Sequence, residues 1–229
     1  MDSQKLDLAQ RIEVVRNRIS EAALRSRRDP QAITLLAVTK KFPATVIRAA
    51  YELGIREFGE NYVQEFEGKA GEVADIAGAR FHLIGHLQSN KTRKAAELFQ
   101  VVQTVDSAKL ARRLDGEGKP LDVMIEVKLS HEDTKAGADP ESLGELVGAV
   151  RECSSLKLVG LMTMPPWTDD AEPSRPYFRR LRELAEHYEI TGLSMGMSHD
   201  FEVAIEEGST CVRVGTALFG PRRKDGGTA

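Results

Sequence analysis

The sequence predicts an α/β protein folded as a single (β/α)8 TIM-type barrel with an extra N-terminal helix, and three observations carry that reading. Eight short stretches are almost wholly apolar, each is separated from the next by a helical segment, and the chain has 229 residues. Strands that are apolar on both faces belong to a parallel sheet covered on both sides, and eight is the number at which such a sheet closes. The length is close to that of one such barrel. An open doubly wound sheet is the alternative, but it usually has fewer strands and a glycine-rich first turn. Here that turn, Thr39-Lys40-Lys41-Phe42-Pro43, contains no glycine.

In chain order, residues 6–28 carry Leu8, Ile12, Val15, Ile19 and Ala22 at helical spacing opposite a charged face, and Asp29-Pro30 ends that helix. The first strand runs over 35–40 and is stopped by Pro43, which opens a second helix closed by Gly54. Further strands are expected at 56–61, 80–85, 101–105, 121–129, 156–164, 192–197 and 211–214. Helices are expected between them at 62–76, 91–99, 107–114, 140–153, 173–188 and 200–207. No repeat, low-complexity segment or shift in composition divides the chain, so 1–229 reads as one domain with a flexible tail over 221–229.

Composition excludes several classes. A formal net charge of −3 gives no general attraction to nucleic acid or to an anionic membrane. Cys153 and Cys211 lie far apart, without the spacing of a zinc or redox pair, and read as small core residues in a reducing compartment. The N-terminus lacks an apolar signal core, and no apolar run approaches the ~20 residues of a membrane span, so a cytoplasmic location is expected.

In a barrel of this kind chemistry collects at the C-terminal ends of the strands. Lys40 ends the first strand on the same side as Leu36 and Val38, while Lys41 points away. An amine held rigidly at the rim of a core is partly desolvated, which favours the neutral form that attacks carbonyls. The bland alternative is a lysine snorkelling to the surface. Asn61 ends the second strand, His82, Gly85 and His86 the third, and Met162 and Met164 the sixth. After strands seven and eight, Gly196-Met197-Ser198 and Gly215-Thr216 supply hydroxyls and closely approachable backbone, where barrels often bind phosphate. Ser198 could instead cap the helix that begins near Asp200. Arg213 interrupts an apolar strand, and pointing inward it needs a partner, either a carboxylate such as Glu60 or a ligand atom. No third ligand accompanies His82 and His86, so no metal site is expected. The neighbours Ser198-His199-Asp200 cannot face one another as a triad. A lysine across from a phosphate cradle suits a phosphorylated aldehyde held as an imine, a description that Schiff-base aldolases also meet.

The stretches Leu36-Ala37-Val38-Thr39-Lys40, FGENYVQE at 58–65 and FHLIGHLQSNK at 81–91 extend this set, together with Gly160-Leu161-Met162, LSMGMS at 193–198 and VRVGTALFG at 212–220. With them, spread in order over nearly the whole chain, the sequence resembles the pyridoxal phosphate homeostasis protein family, relatives of the alanine racemase N-terminal domain. Thr39 stands where many members have serine, Met164 where isoleucine is frequent, and the loop 165–176 has no assigned role. The resemblance implies pyridoxal 5′-phosphate (PLP) bound as a Schiff base on Lys40. It implies Ser198, Gly215 and Thr216 on the phosphate, Arg213 facing the pyridine nitrogen and Asn61 near the cofactor.

It further implies a monomeric, non-catalytic protein that buffers PLP and delivers it to PLP-dependent apoenzymes. An arginine at the ring nitrogen keeps it unprotonated and weakens the ring as an electron sink. Racemases share that arginine, so the stronger expectation rests on the β-domain with its opposing tyrosine, which has no counterpart in the sequence. The competing expectation is a PLP-dependent racemase or decarboxylase with a minimal site.

Overall fold

The computed structural model describes residues 3–130 and 136–221. The expected tail, apart from its first residue, lies outside them. Eight parallel strands close into a barrel in the order of the chain, the last pairing with the first. They are β1 (Thr34–Val38), β2 (Glu57–Glu60), β3 (Arg80–Leu83), β4 (Val101–Val105), β5 (Leu121–Glu126), β6 (Leu156–Met162), β7 (Leu193–Met197) and β8 (Cys211–Val214). The helix α1 (Ser3–Arg25) precedes them. Around the barrel follow α2 (Ala44–Glu52), α3 (Val63–Ala70), α4 (Thr92–Leu98), α5 (Ala108–Asp115), α6 (Leu143–Arg151), α7 (Arg175–His187), α8 (Phe201–Glu206) and α9 (Thr216–Phe219).

The periodicity read from the sequence sets which face of each element is covered. Leu8, Ile12, Val15, Ile19 and Ala22 of α1 are all buried, and α1 lies across α8 and α9. Arg18 pairs with Glu202 at 2.7 Å, and Arg28 donates to the carbonyls of Ile205 (2.8 Å) and Ser209 (2.7 Å). Ser107 caps α5 by accepting from the Leu110 amide at 3.3 Å. The main core lies between the strands and the helices, where Phe58, Phe66, Phe81 and Phe99 pack ring to ring with centroids 4.6 to 5.5 Å apart. Inside the barrel a smaller apolar cluster joins Leu36, Val38, Ile84 and Cys211. Cys211 is a buried free thiol and Cys153 a half-buried one.

Three differences from the sequence reading matter for the site, the first being that β1 ends at Val38, short of the expected 40, so that Lys40 lies in the turn beyond the strand. β5 ends at Glu126 and β6 at Met162, short of the expected 129 and 164. Their apolar continuations belong to the barrel mouth instead. The helix α9 was not expected, and its first residues form the turn after β8.

Candidate functional site

At the C-terminal mouth a cavity of about 590 Å³ is lined by Lys40, Asn61, Ser198, Arg213, Gly215 and Thr216. All six residues nominated from the sequence therefore meet in one place. Val38, Ile84, Gly85, His86, Met164, Trp167, Met197, His199 and Ala217 complete the lining. This volume is ordinary for a small-molecule site.

Lys40 reaches the cavity because the turn after β1 is pinned from outside. Strand alternation puts Leu36 and Val38 inside the barrel and turns Thr39 toward the helices. There the Thr39 hydroxyl donates to Glu60 Oε1 at 2.6 Å. Lys69 of α3 pairs with the same oxygen at 2.9 Å and donates to the carbonyls of Thr39 (3.2 Å) and Phe42 (3.0 Å). Burial pushes the Glu60 carboxyl up, outweighing the opposite pull of Lys69 and of the Thr39 hydrogen bond. Lys40 is half-buried, whereas Lys41 is exposed with φ at +64°.

Arg213 is 3% exposed and projects inward from β8. Glu60, suggested by the sequence as its partner, is not. It shares the outer face with Phe58, two residues earlier, and is held by Thr39 and Lys69. Arg213 instead donates to the Ser194 hydroxyl (2.8 Å) and to the Thr163 carbonyl (2.9 Å). Burial lowers its pKa, while Cys211, Asp200 and Glu126 act in the opposite direction.

Ser198 does not cap α8. Its oxygen accepts from the amides of Gly215 and Ala217, each at 3.3 Å, so the turn after β7 is tied to the turn after β8. Asp200, the residue before α8, makes no side-chain cap either; its carboxylate accepts from the Met197 amide at 2.6 Å and braces the turn after β7. Gly196 permits this close packing: φ is +93°, and a Cβ would stand 2.6 Å from that of Ala204. Asn61 is placed by Gly85, where a Cβ would lie 2.2 Å from the Asn61 carbonyl oxygen.

The histidine pair splits. His86 lines the cavity 3.5 Å from Asp106, but His82 lies deeper, against Glu57 and Gln103. Met162 is fully buried and does not reach the cavity, whereas Met164 does. Among the described residues no group of three or more His, Cys, Asp or Glu is placed to hold a metal. No described helix is long and apolar enough to cross a membrane.

Sequence reasoning missed two residues. Trp167, from the loop without an assigned role, rests on His199 with ring centroids 3.9 Å apart. Glu126 ends β5 facing an adjoining chamber of about 490 Å³ that shares His86, Met164, Trp167 and Met197 with the first. Burial pushes its carboxyl up to about 7, against the pull of Arg213. An acidic residue closing an apolar strand was the available signal.

The arrangement offers an amine on one wall, backbone amides and hydroxyls on the opposite turns, and a guanidinium at the floor. That donor set fits a small phosphorylated aldehyde with an acceptor at its inner end. The described site therefore has the chemistry to hold PLP.

Comparison with known proteins agrees with this chemistry. Residues 15–223 match the model of the alanine racemase N-terminal domain. The pyridoxal phosphate homeostasis protein of Pseudomonas aeruginosa is 47% identical over 94% of this chain and 96% of its own length. Its namesake in Escherichia coli K12 is 42% identical over 94% and 97%. PipY of Synechococcus elongatus, solved with PLP bound, superposes with a TM-score of 0.79 at 39% identity over 93% of this chain and the whole of PipY. Alanine racemase of Corynebacterium glutamicum, at 18% identity and a TM-score of 0.72 over 98% of this chain and 63% of its own, shares the fold. The chain belongs to the alanine racemase N-terminal domain family and, within it, to the pyridoxal phosphate homeostasis proteins.

Proposed function

We propose that this protein binds PLP and takes part in its cellular homeostasis, holding the cofactor and passing it to apoenzymes without turnover. The observation that carries the reading is the meeting of Lys40, the turn at 215–217 and Arg213 around one cavity. When bound, PLP supplies an aldehyde that a lysine amine can hold covalently and reversibly. Lys40 is the amine, aimed by the outer Thr39–Glu60–Lys69 network. The Ser198 and Thr216 hydroxyls and the turn at Gly215 receive the phosphate, whose oxygens take over the Gly215 amide that Ser198 Oγ holds in the ligand-free site, and Asn61 borders the cofactor. Arg213, a donor only, would face the ring nitrogen and leave it unprotonated.

Borohydride reduction of the PLP-soaked protein, followed by intact mass and peptide mapping, tests the assignment. The expected product is one phosphopyridoxyl group on Lys40. A label confined to other lysines, or none, overturns it. Incubation of the loaded protein with single amino acids, followed by chiral analysis, tests the absence of turnover, and steady racemisation would refute it.

A further inference from the structure

Beneath the cavity, five residues from five strands form a chain of hydrogen bonds across the barrel. Arg213 Nη1 donates to Ser194 Oγ at 2.8 Å, and Ser194 Oγ donates to Gln103 Oε1 at 2.7 Å. Gln103 Nε2 stands 2.9 Å from His82 Nδ1, and His82 Nε2 stands 2.5 Å from Glu57 Oε2. Ser194 and Gln103 are fully buried, and Arg213 and His82 nearly so. Nothing in the binding reading uses the four residues behind Arg213.

The direction of this chain is fixed by chemistry. A guanidinium has donors only, so Ser194 accepts from Arg213 and must direct its own proton elsewhere. Gln103 Oε1 receives it. The amide nitrogen of Gln103 is thereby turned toward His82, which accepts at Nδ1 and carries its proton on Nε2, opposite the Glu57 carboxylate. Reversing Gln103 would aim two donors at Ser194 and strand its proton in a buried place, the costly arrangement. All donors therefore run one way, from the cation on β8 to the anion on β2. The Nη2 bond to the Thr163 carbonyl, at 2.9 Å, fixes a second point on the guanidinium, while Arg213 itself borders the cavity.

We propose that the Glu57–His82–Gln103–Ser194 chain aims Arg213 and makes the cavity floor select ligands that carry a hydrogen-bond acceptor at their inner end. The ligand class is a phosphorylated aldehyde on a nitrogen heteroaromatic ring rather than on a carbocycle. This deepens the PLP reading and rests on it. Gln103 touches no ligand and is a positioning residue. Selectivity arises because a ligand with C–H at that point leaves a rigidly held, buried N–H without a partner, whereas a loosely held arginine could turn away.

The test compares affinities for PLP and for its carbocyclic analogue, the same substituted benzaldehyde with C–H in place of the ring nitrogen. Wild-type protein should prefer PLP by about tenfold or more, the scale of one charge-assisted hydrogen bond. Gln103→Leu should bring that ratio below about threefold, since Ser194 and Arg213 lose their fixed geometry. General loosening of the barrel would weaken both ligands alike and leave the ratio unchanged. Ser194→Ala, a smaller change next to Arg213, should lower the ratio likewise and serves if Gln103→Leu does not fold. In the ligand-free protein, ¹⁵N shifts of His82 should show protonated Nε2 and bare Nδ1. A wild-type ratio kept in Gln103→Leu or Ser194→Ala, or a protonated Nδ1, overturns the proposal. A wild-type protein that does not discriminate would instead overturn the placement of Arg213 at the ring nitrogen.

Discussion

Outside the barrel wall, Phe58 and Phe81 of the strands meet Phe66 and Phe99 of the helical layer, and nearly everything around them is aliphatic. On the inner face of the barrel stand Glu57, His82, Gln103, Ser194 and Arg213, joined end to end by hydrogen bonds. One residue's shift along a strand exchanges the two chemistries. The outer layer gains its free energy from apolar area removed from water and tolerates swaps that conserve volume. The inner chain gains little net stability per bond but fixes orientation, and a broken link leaves a buried group unsatisfied. Apart from the outer Thr39–Glu60–Lys69 network that aims Lys40, stability and ligand geometry are thus carried on opposite sides of a wall one residue thick.

The largest contrast should come from Lys40→Ala. It should abolish the borohydride-fixed PLP adduct while shifting urea-derived stability by less than about 1 kcal/mol, because the side chain is half-buried. A comparable loss of stability would show that the two sides are not separable at this position. Phe66→Ala should do the reverse. Removing a buried ring from the outer layer should cost about 3–5 kcal/mol in urea unfolding, with PLP still bound at low temperature.

Glu126 sharpens the comparison through pH. Its carboxyl is 4% exposed and pushed up to about 7 in the folded protein, against about 4.3 in an unfolded chain. Between these values the folded protein holds a proton that the unfolded chain has released, so this group makes stability fall as pH rises through the window. Above pH 7 or so the penalty is complete. Glu126→Gln should flatten that slope and make the protein about 3 kcal/mol more stable at pH 8, read from urea midpoints. The smallest effect should come at the rim. Trp167 is the chain's single tryptophan and 67% exposed, yet it borders the cavity. PLP should quench its fluorescence, and Trp167→Phe should remove the signal while changing PLP affinity by less than about threefold.

The barrel was legible because parallel strands buried on both faces leave uninterrupted apolar runs, and β4 and β8 match the residues expected. Strand ends were less so. Leu129 and Met164 prolong the apolar pattern but belong to the mouth, where a residue can be apolar without pairing. The helix α9 escaped because four residues show no period. Of the site, Lys40, Asn61, Ser198, Arg213, Gly215 and Thr216 were found at strand ends because topology fixes where strand ends gather. The partners of Arg213 were not legible. Ser194 lies 91 residues from Gln103 and 19 from Arg213, and no local spacing announces contacts made across a closed ring.

The seam between β1 and β8, where Leu36 lies beside Arg213, has a consequence for biosynthesis. Lys40 follows the first strand, and the turn across from it follows the last. A nascent polypeptide emerging from the ribosome can present the nucleophile early, yet it has nowhere to seat a cofactor until the final strand arrives. Once seated, a molecule touching both ends of the circuit acts as a clasp. Its occupancy should slow exchange of amide hydrogens along this junction more than along β4 and β5, on the far side of the ring.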